Sequence, residues 1–250
     1  MSKRTKALGY YVGGFQAFAD RLGSAVTSRG GRVEVGSEVH EVRPLAGGGY
    51  EVHLGGSSVT VDRVVVTVGP RAALGLLPGL PEAYAEQLRR LRSLAAMTVV
   101  LALDRPLTRG LYWVNLPKRV FPFLALVEHT SYIDRSHYGG DHLVYLGDYL
   151  PESHPHFRMS KDELLQVYLP AVRRINPAFE ESWVRKSWLF REREAQPFTP
   201  LHHSRAIPPL RTPLRGLYVA SMSQVYPWDR GTNYAVEIGH EVARAVLEDV

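Results

Sequence analysis

The run Val64–Val68, with the sequence VVVTV, places the strongest constraint on the fold. It contains no charged side chain, and it lacks the alternation of apolar and polar residues that a strand with one solvated face shows. Strands of this kind are typical of parallel sheets, in which helices cover both faces. The sequence therefore predicts that this strand lies inside an α/β lobe.

The residues before this strand predict one helix and several short strands. Phe15, Leu22 and Val26 recur at helical spacing within residues 14–29, and the pair Gly30-Gly31 predicts the end of the helix. The pair Gly55-Gly56 separates two alternating runs and predicts a hairpin turn. The predicted strands are Arg32–Val35, Glu38–Val42, Tyr50–Leu54, Ser58–Val61 and Arg63–Val68.

The middle of the chain has a different pattern, in which strand-sized apolar runs alternate with long polar connections. This pattern favours an antiparallel sheet with helical cover. Two helices are expected, over Glu82–Arg92 and over Lys161–Arg174, the second capped by Ser160. The strand candidates are Met97–Leu103, Leu111–Val114, Phe121–Val127, Leu143–Tyr149 and Trp183–Phe190.

The end of the chain returns to the first pattern. A short strand at Gly216–Ala220 precedes a polar loop and a helix that starts near Thr232. We expect this helix to pack on the strand that contains Leu217 and Val219. The predicted fold class is therefore mixed α/β. We expect residues 1–80 and 205–250 to form one discontinuous α/β lobe, and residues 81–204 to form an antiparallel-sheet lobe.

Composition excludes several classes of function. The chain has no cysteine, so disulfides, thiol catalysis and cysteine-ligated metals are excluded. Its net charge is +5, but the basic residues are scattered, which predicts no nucleic-acid partner. No apolar run reaches the roughly 18 residues of a membrane span. The basic start Met1–Lys6 has no apolar core behind it, so we predict no secretory signal and a cytoplasmic protein.

The loop Asp229–Ala235, with the sequence DRGTNYA, is the most informative stretch for function. A glycine before a helix start leaves backbone N–H groups that can bind an anion or an electron-rich carbonyl. The alternative is ordinary helix capping by Thr232 or Asn233. No metal site is predicted, because the pairs His154/His156 and His202/His203 lack a carboxylate at metal-ligand spacing.

Four segments together resemble the flavin amine-oxidase superfamily, which includes protoporphyrinogen oxidases and monoamine oxidases. Gly9–Phe18 is similar to its glycine-pair entry into a helix, and Arg32–Val35 with Val39–Val42 is similar to its paired strands. Val64–Pro70 resembles its strand with a proline turn. Residues 217–239 resemble its closing flavin motif. The resemblance covers residues 8–80 and 196–250. It implies that residues 1–80 and 205–250 form an incomplete FAD/NAD(P)-binding lobe and that residues 81–204 form an antiparallel-sheet substrate lobe.

The resemblance implies that FAD is the cofactor and that a small-molecule substrate transfers hydride to it, so no protein nucleophile is required. Val39 would contact the adenine edge and Thr67 the adenosine side. Thr232 and Asn233 would present helix N-terminal amides to the flavin pyrimidine ring. Asp229 and Arg230 would shape that loop.

The sequence departs from the family pattern in two places. Ser221 and Ser223 stand where the family has a glycine and an acid that binds the ribityl chain, and a hydroxyl binds more weakly than a carboxylate. No glycine cluster has the G-x-G-x-x-G spacing that opens a dinucleotide-binding helix. We therefore expect weak or absent FAD binding by this chain alone, with the upstream flavin-binding segment supplied by a longer chain or by a second one.

Two alternatives and some smaller questions stay open. One is a portion of a UDP-galactopyranose mutase-like flavoenzyme, for which Arg205, Arg211 and Arg215 are the candidate pyrophosphate ligands. The other is a non-catalytic binding or assembly module. Glu128-His129 follows an apolar run and faces either a substrate cavity or the end of a strand. The substrate and the formation of a homo-oligomer are also left open.

Overall fold

The structure, a computed structural model, describes residues 9–250. The stretch Met1–Lys6, and the absence of a secretory signal predicted from it, lie outside the described residues. In chain order the elements are α1 (Gly14–Thr27), β1 (Val39–Pro44), β2 (Tyr50–Leu54), β3 (Ser57–Val61), β4 (Val64–Val66), α2 (Pro70–Leu76), α3 (Glu82–Arg90), β5 (Arg92–Leu103), β6 (Trp113–Asn115), β7 (Ala125–Glu128), β8 (His142–Leu150), α4 (Lys161–Ile175), β9 (Val184–Phe198), α5 (His203–Ala206), β10 (Leu217–Val219) and α6 (Thr232–Glu248).

The chain divides into two compact units, the first ending at Glu38 and the second running from Val39 to Val250. The first unit contains α1, which has no buried residue. The strand predicted over Arg32–Val35 is wrong, because these residues form no strand. A strand requires a hydrogen-bonding partner, and β1, the expected partner, pairs with β2 instead. The lobe boundaries near residues 80 and 205 stay a prediction.

Two small sheets share one core in the second unit. β1, β2 and β3 form an antiparallel sheet, and Gly55-Gly56 makes the predicted turn between β2 and β3. β4 pairs in parallel with β10, so Val64 is opposed by Leu217 and Val66 by Val219. The parallel pairing confirms the prediction from the VVVTV run. The two faces of β4 are not both fully covered, however, since Val65 is 39% exposed.

A five-stranded antiparallel sheet in the order β6-β7-β8-β5-β9 forms the largest part of the second unit. Met97, Val99 and Leu101 of β5 are buried against α4, which supplies Leu164 and Tyr168 to the same core. Ser160 caps α4 as predicted, and Glu163 completes a reciprocal capping box. β5 and β9 extend beyond the predicted ends because they pair with each other from Arg92↔Phe198 to Leu103↔Val184.

The last helix begins at Thr232 and packs on β10, as the sequence predicts, and it contacts the face of that strand that carries Tyr218. Val242 and Ala245 of α6 are buried with Tyr218 and Ala220. Leu217 and Val219 instead join the core under the small sheets. Both faces of this strand are apolar, so the sequence pattern alone does not assign a face to the helix.

Two short helices, α2 and the four-residue α5, were not predicted. α2 is only seven residues long and starts with Pro70 at a position where a missing N–H is tolerated. The carboxylate of Glu194 accepts hydrogen bonds from the backbone N–H of Arg71 at 3.2 Å and of Ala72 at 3.4 Å. The acid that caps this helix is therefore far away in sequence, on β9. No helix among residues 9–250 is both long and apolar enough to span a membrane.

Candidate functional site

The N-terminus of α6 is a helix end without a side-chain cap. Gly231 precedes the helix with φ −177° and ψ 157°, and no side chain of the described residues caps it. The first helical hydrogen bond runs from the N–H of Ala235 to the carbonyl of Gly231 at 3.0 Å. Capping by Thr232 or Asn233, the alternative open from the sequence, is therefore not seen. The positive end of a 17-residue helix is available to a ligand.

The loop before α6 is fixed to the antiparallel sheet. Arg230 Nε donates to Gln196 Oε1 at 2.6 Å, and Gln196 Nε2 donates to Asp229 Oδ1 at 3.3 Å. The guanidinium of Arg230 also lies 5.0 Å from the centre of the Tyr149 ring. Partial burial lowers the pKa of Arg230, which still keeps its charge. Gln196 of β9 therefore positions the two loop residues that the sequence singled out.

Ser221 and Ser223 lie in a buried turn after β10, each 5% exposed. The N–H of Ser221 donates to Gln224 Oε1 at 2.8 Å, and Gln224 Nε2 donates to the carbonyl of Val219 at 3.1 Å. Gln224 was missed from the sequence, although the pattern Ser-x-x-Gln is a capping-box signal. The turn is therefore held mainly by Gln224, and the predicted ribityl contacts of the two serines stay a prediction.

The remaining predicted residues lie at strand ends. Thr67 is exposed and directly follows β4. Because β4 and β10 are parallel and Ala220 donates to the carbonyl of Val66 at 2.9 Å, Thr67 and Ser221 lie at the same edge of their sheet. Val39 begins β1 and is opposed by Leu54. The structure thus groups Asp229, Arg230, Thr232 and Asn233 at the start of α6. Their cofactor roles stay a prediction.

One face of the five-stranded sheet is open near this loop. Opposed residues of antiparallel strands share a face. Thr98 of β5 is opposed by Gly147 of β8 and by Phe190 of β9, and Ala96 is opposed by Tyr149. These residues alternate with the core positions of β5, and Phe190 is 59% exposed. We call this surface, defined by Ala96, Thr98, Gly147, Tyr149 and Phe190, the open face.

Glu128 and His129 are held within the protein. The carboxylate of Glu128, on a residue that is 1% exposed, accepts hydrogen bonds from the N–H of Leu107 at 2.9 Å and of Thr108 at 2.6 Å. His129 Nε2 lies 2.7 Å from the hydroxyl of Tyr138, and burial lowers the pKa of His129. Glu128 therefore supports the loop between β5 and β6, in agreement with the strand-end alternative.

Most of the other candidate polar residues are also engaged in local contacts. His203 is buried against Tyr226, and His154 Nδ1 accepts from the N–H of His156 at 3.2 Å. Arg211 forms ion pairs with Glu248 at 2.7 Å and Asp249 at 2.9 Å, and these raise its pKa. A neutralised arginine is a weaker ligand for pyrophosphate than a free one.

Comparison with known proteins gives the family. The model of the flavin containing amine oxidoreductase family matches residues 3–247. The chain therefore belongs to the flavin-containing amine oxidoreductases, a family that implies FAD in the complete protein. A comparison with curated protein sequences found no match.

Three solved structures illustrate the shared fold. A protein from Exiguobacterium sp. 255-15, assigned as a protoporphyrinogen oxidase, has a TM-score of 0.72 and 17% identity, over 94% of this chain and 51% of its own. A putrescine oxidase with bound putrescine has a TM-score of 0.68 and 17% identity, over 94% and 53%. Cyclohexylamine oxidase from Brevibacterium oxydans IH-35A has a TM-score of 0.67 and 14% identity, over 94% and 53%. The chain spans about half the length of these structures.

Proposed function

We propose that this chain supplies the flavin-ring end and the substrate lobe of an FAD-dependent amine-oxidase-like oxidoreductase. The observation that carries the proposal is the uncapped N-terminus of α6, which Gln196 and Arg230 attach to the sheet beside its open face. A site for an electron-accepting ring and a surface for a substrate are thereby brought together on one rigid framework.

The residues at the start of α6 fit the pyrimidine end of a flavin. The amides of Thr232 and Asn233 would donate to a flavin carbonyl, and the helix dipole would stabilise the negative charge that collects there on reduction. When bound, FAD supplies the acceptor for the hydride that the substrate loses. Arg230, held by Gln196 and Tyr149, keeps the loop in place and leaves the helix end exposed.

The open face is suited to the apolar part of a small substrate. Its central residues, Ala96, Thr98 and Gly147, are small, and Tyr149 and Phe190 stand beside them in the same rows. Aromatic side chains supply large contact areas at a small cost in conformational entropy. We therefore place the substrate on this face, next to the loop that carries Arg230.

Completion of the cofactor site requires a further segment. Within residues 9–250, β4 is paired only with β10, although two-stranded sheets are marginal in water and parallel strands are normally covered. We propose that an upstream strand with the glycine loop joins β4, from a longer chain or a second chain. Without it, a few neutral hydrogen bonds of about 1 kcal/mol each cannot reach the roughly 8 kcal/mol of micromolar FAD binding.

The proposal is tested by titrating this chain with FAD and following flavin fluorescence. We expect a dissociation constant well above a micromolar, and restored binding when a glycine-loop segment is fused or added. A micromolar constant for the chain alone would show that it contains a phosphate site of its own, against the proposal. No specific observation favours the mutase-like or the non-catalytic alternative. We also propose a cytoplasmic location.

Thr232→Pro tests the role of α6 in the completed protein. Proline removes the amide of Thr232, is accepted in the first helical turn, and suits the extended backbone of Gly231. We expect FAD affinity to fall about fivefold, the equivalent of about 1 kcal/mol. Thr232→Ala, which keeps the amide and removes the hydroxyl, is the control. Equal losses in both variants would contradict the assignment of the amide.

A further inference from the structure

A cleft rich in arginine lies at the end of β8, away from the loop before α6. Its volume is about 650 Å³, within the range of small-molecule sites. Arg191 is opposed by Met97, a core residue, so it points to the face of the sheet opposite to the open face. This arginine cleft is lined by Glu152, Ser153, Phe157, Arg158, Arg191 and Arg193.

The positive charge of the arginine cleft is only partly neutralised. Glu152 is the single acid in the lining, and it is shared between Arg193 at 3.2 Å and Arg71 at 2.9 Å. Arg191 donates to the backbone carbonyl of Met159 and lies 5.9 Å from the centre of the Phe157 ring, so it meets no carboxylate there. Arg158 forms no ion pair within the described part of the chain. The lining therefore holds three guanidinium groups and one carboxylate, and that carboxylate pairs with only one of the three.

We propose that the arginine cleft binds a small anionic ligand through its phosphoryl oxygens. Guanidinium groups present paired N–H donors that match phosphate geometry, and a ligand of opposite charge relieves their mutual repulsion. The hydroxyl of Ser153 adds a neutral donor, and the ring of Phe157 offers an apolar wall to the remainder of the ligand. This site is separate from the proposed flavin site and does not depend on it.

The decisive experiment is calorimetric titration of the 250-residue chain with inorganic pyrophosphate at fixed ionic strength. We expect saturable binding of one pyrophosphate per chain, and Arg158→Gln should weaken it at least about tenfold, the effect of one lost charge-assisted contact. The control is Arg185→Gln, which removes the same charge from β9 at a position where the arginine pairs with Asp141 at 2.7 Å. This control should stay within about twofold of the parent, since its charge is neutralised locally.

Further ligands and variants separate a built site from general charge attraction. Arg193→Gln should also weaken pyrophosphate binding, and Arg158→Lys should restore part of it. Inorganic phosphate should bind more weakly than pyrophosphate, and succinate more weakly still. The proposal is overturned by non-saturable heat, by equal losses in Arg158→Gln and Arg185→Gln, or by tighter binding of succinate. Thermal melting of each variant verifies its fold, and no flavin is present, so this test and the FAD titration fail independently.

Discussion

The buried carboxylate of Glu128 should be one of the most important polar groups for stability. It accepts the backbone N–H groups of Leu107 and Thr108 and also the hydroxyl of Thr108. The same loop is held from the other side, because Asn176 Nδ2 donates to the carbonyl of Leu107 at 2.8 Å. Leu107 is itself a core residue, 2% exposed. Loss of the carboxylate therefore affects both a turn and a core side chain.

Glu128→Ala leaves two backbone donors without their acceptor. Each unsatisfied buried donor costs about 1–3 kcal/mol, so the two together predict a loss of about 2–6 kcal/mol in the free energy of unfolding. Glu128→Gln keeps the shape and one acceptor oxygen but turns an NH₂ group towards a donor, so about half of that loss is expected. Urea denaturation followed by circular dichroism measures both values.

An exposed glutamate supplies the control for this experiment. Glu181→Ala, in the exposed turn before β9, should leave the denaturation midpoint unchanged. If the free energy of unfolding falls by less than about 1 kcal/mol in Glu128→Ala, water replaces the carboxylate and the loop does not depend on Glu128. If Glu128→Gln is as damaging as Glu128→Ala, the cost comes from the charge and not from the missing acceptors.

Three further predictions concern other parts of the second unit. Val242→Asp should cost several kcal/mol, because an unpaired charge enters the core of α6, and an unchanged melting temperature would show that the helix face is exposed. Burial raises the pKa of Asp148, and the neighbouring Lys118 only partly opposes this rise. The folded state therefore binds a proton at Asp148 more tightly than the unfolded state does. The resulting stabilisation is complete below about pH 4 and is lost as the pH rises through the folded pKa. As the pH rises above about 4, the free energy of unfolding should therefore fall less in Asp148→Asn than in the parent. Parallel curves of unfolding free energy against pH for the two proteins would contradict this prediction. Gly69→Ala should cost about 1–2 kcal/mol by displacing the Glu194 carboxylate from α2, and the cost should shrink in a Glu194→Ala background.

Local sequence patterns were sufficient to predict those features of the fold that depend on residues close together in the chain. The Gly55-Gly56 turn, the Ser160 cap and the start of α6 at Thr232 each follow from a few consecutive side chains. The parallel pairing of β4 also followed, because its run of valines is characteristic of a parallel strand.

Features that depend on distant residues could not be predicted in this way. α2 is capped by Glu194, and the loop before α6 is held by Gln196, both on β9. No pattern near Pro70 or Asp229 identifies these partners. The face of β10 on which α6 packs is a further example, since both faces of that strand are apolar and the choice of Tyr218 depends on what else each face contacts. The sequence thus indicates candidate residues at the start of α6 but not the distant side chains that hold them.

The 15-residue strand β9 joins two parts of the molecule that sequence order keeps apart. Two of its residues, Glu194 and Gln196, hold the start of α2 and the loop at Asp229 and Arg230, respectively. Positions two apart on a strand are separated by only about 7 Å, and here they lie within a β-bulge, where the pairing of β9 with β5 shifts between Glu192 and Gln196. We therefore expect a ligand that shifts the loop to move the start of α2 as well. Motion of the loop at Asp229 and Arg230, at one end of the proposed cofactor site, should be measurable at the start of α2 as a change in amide exchange at Arg71 and Ala72.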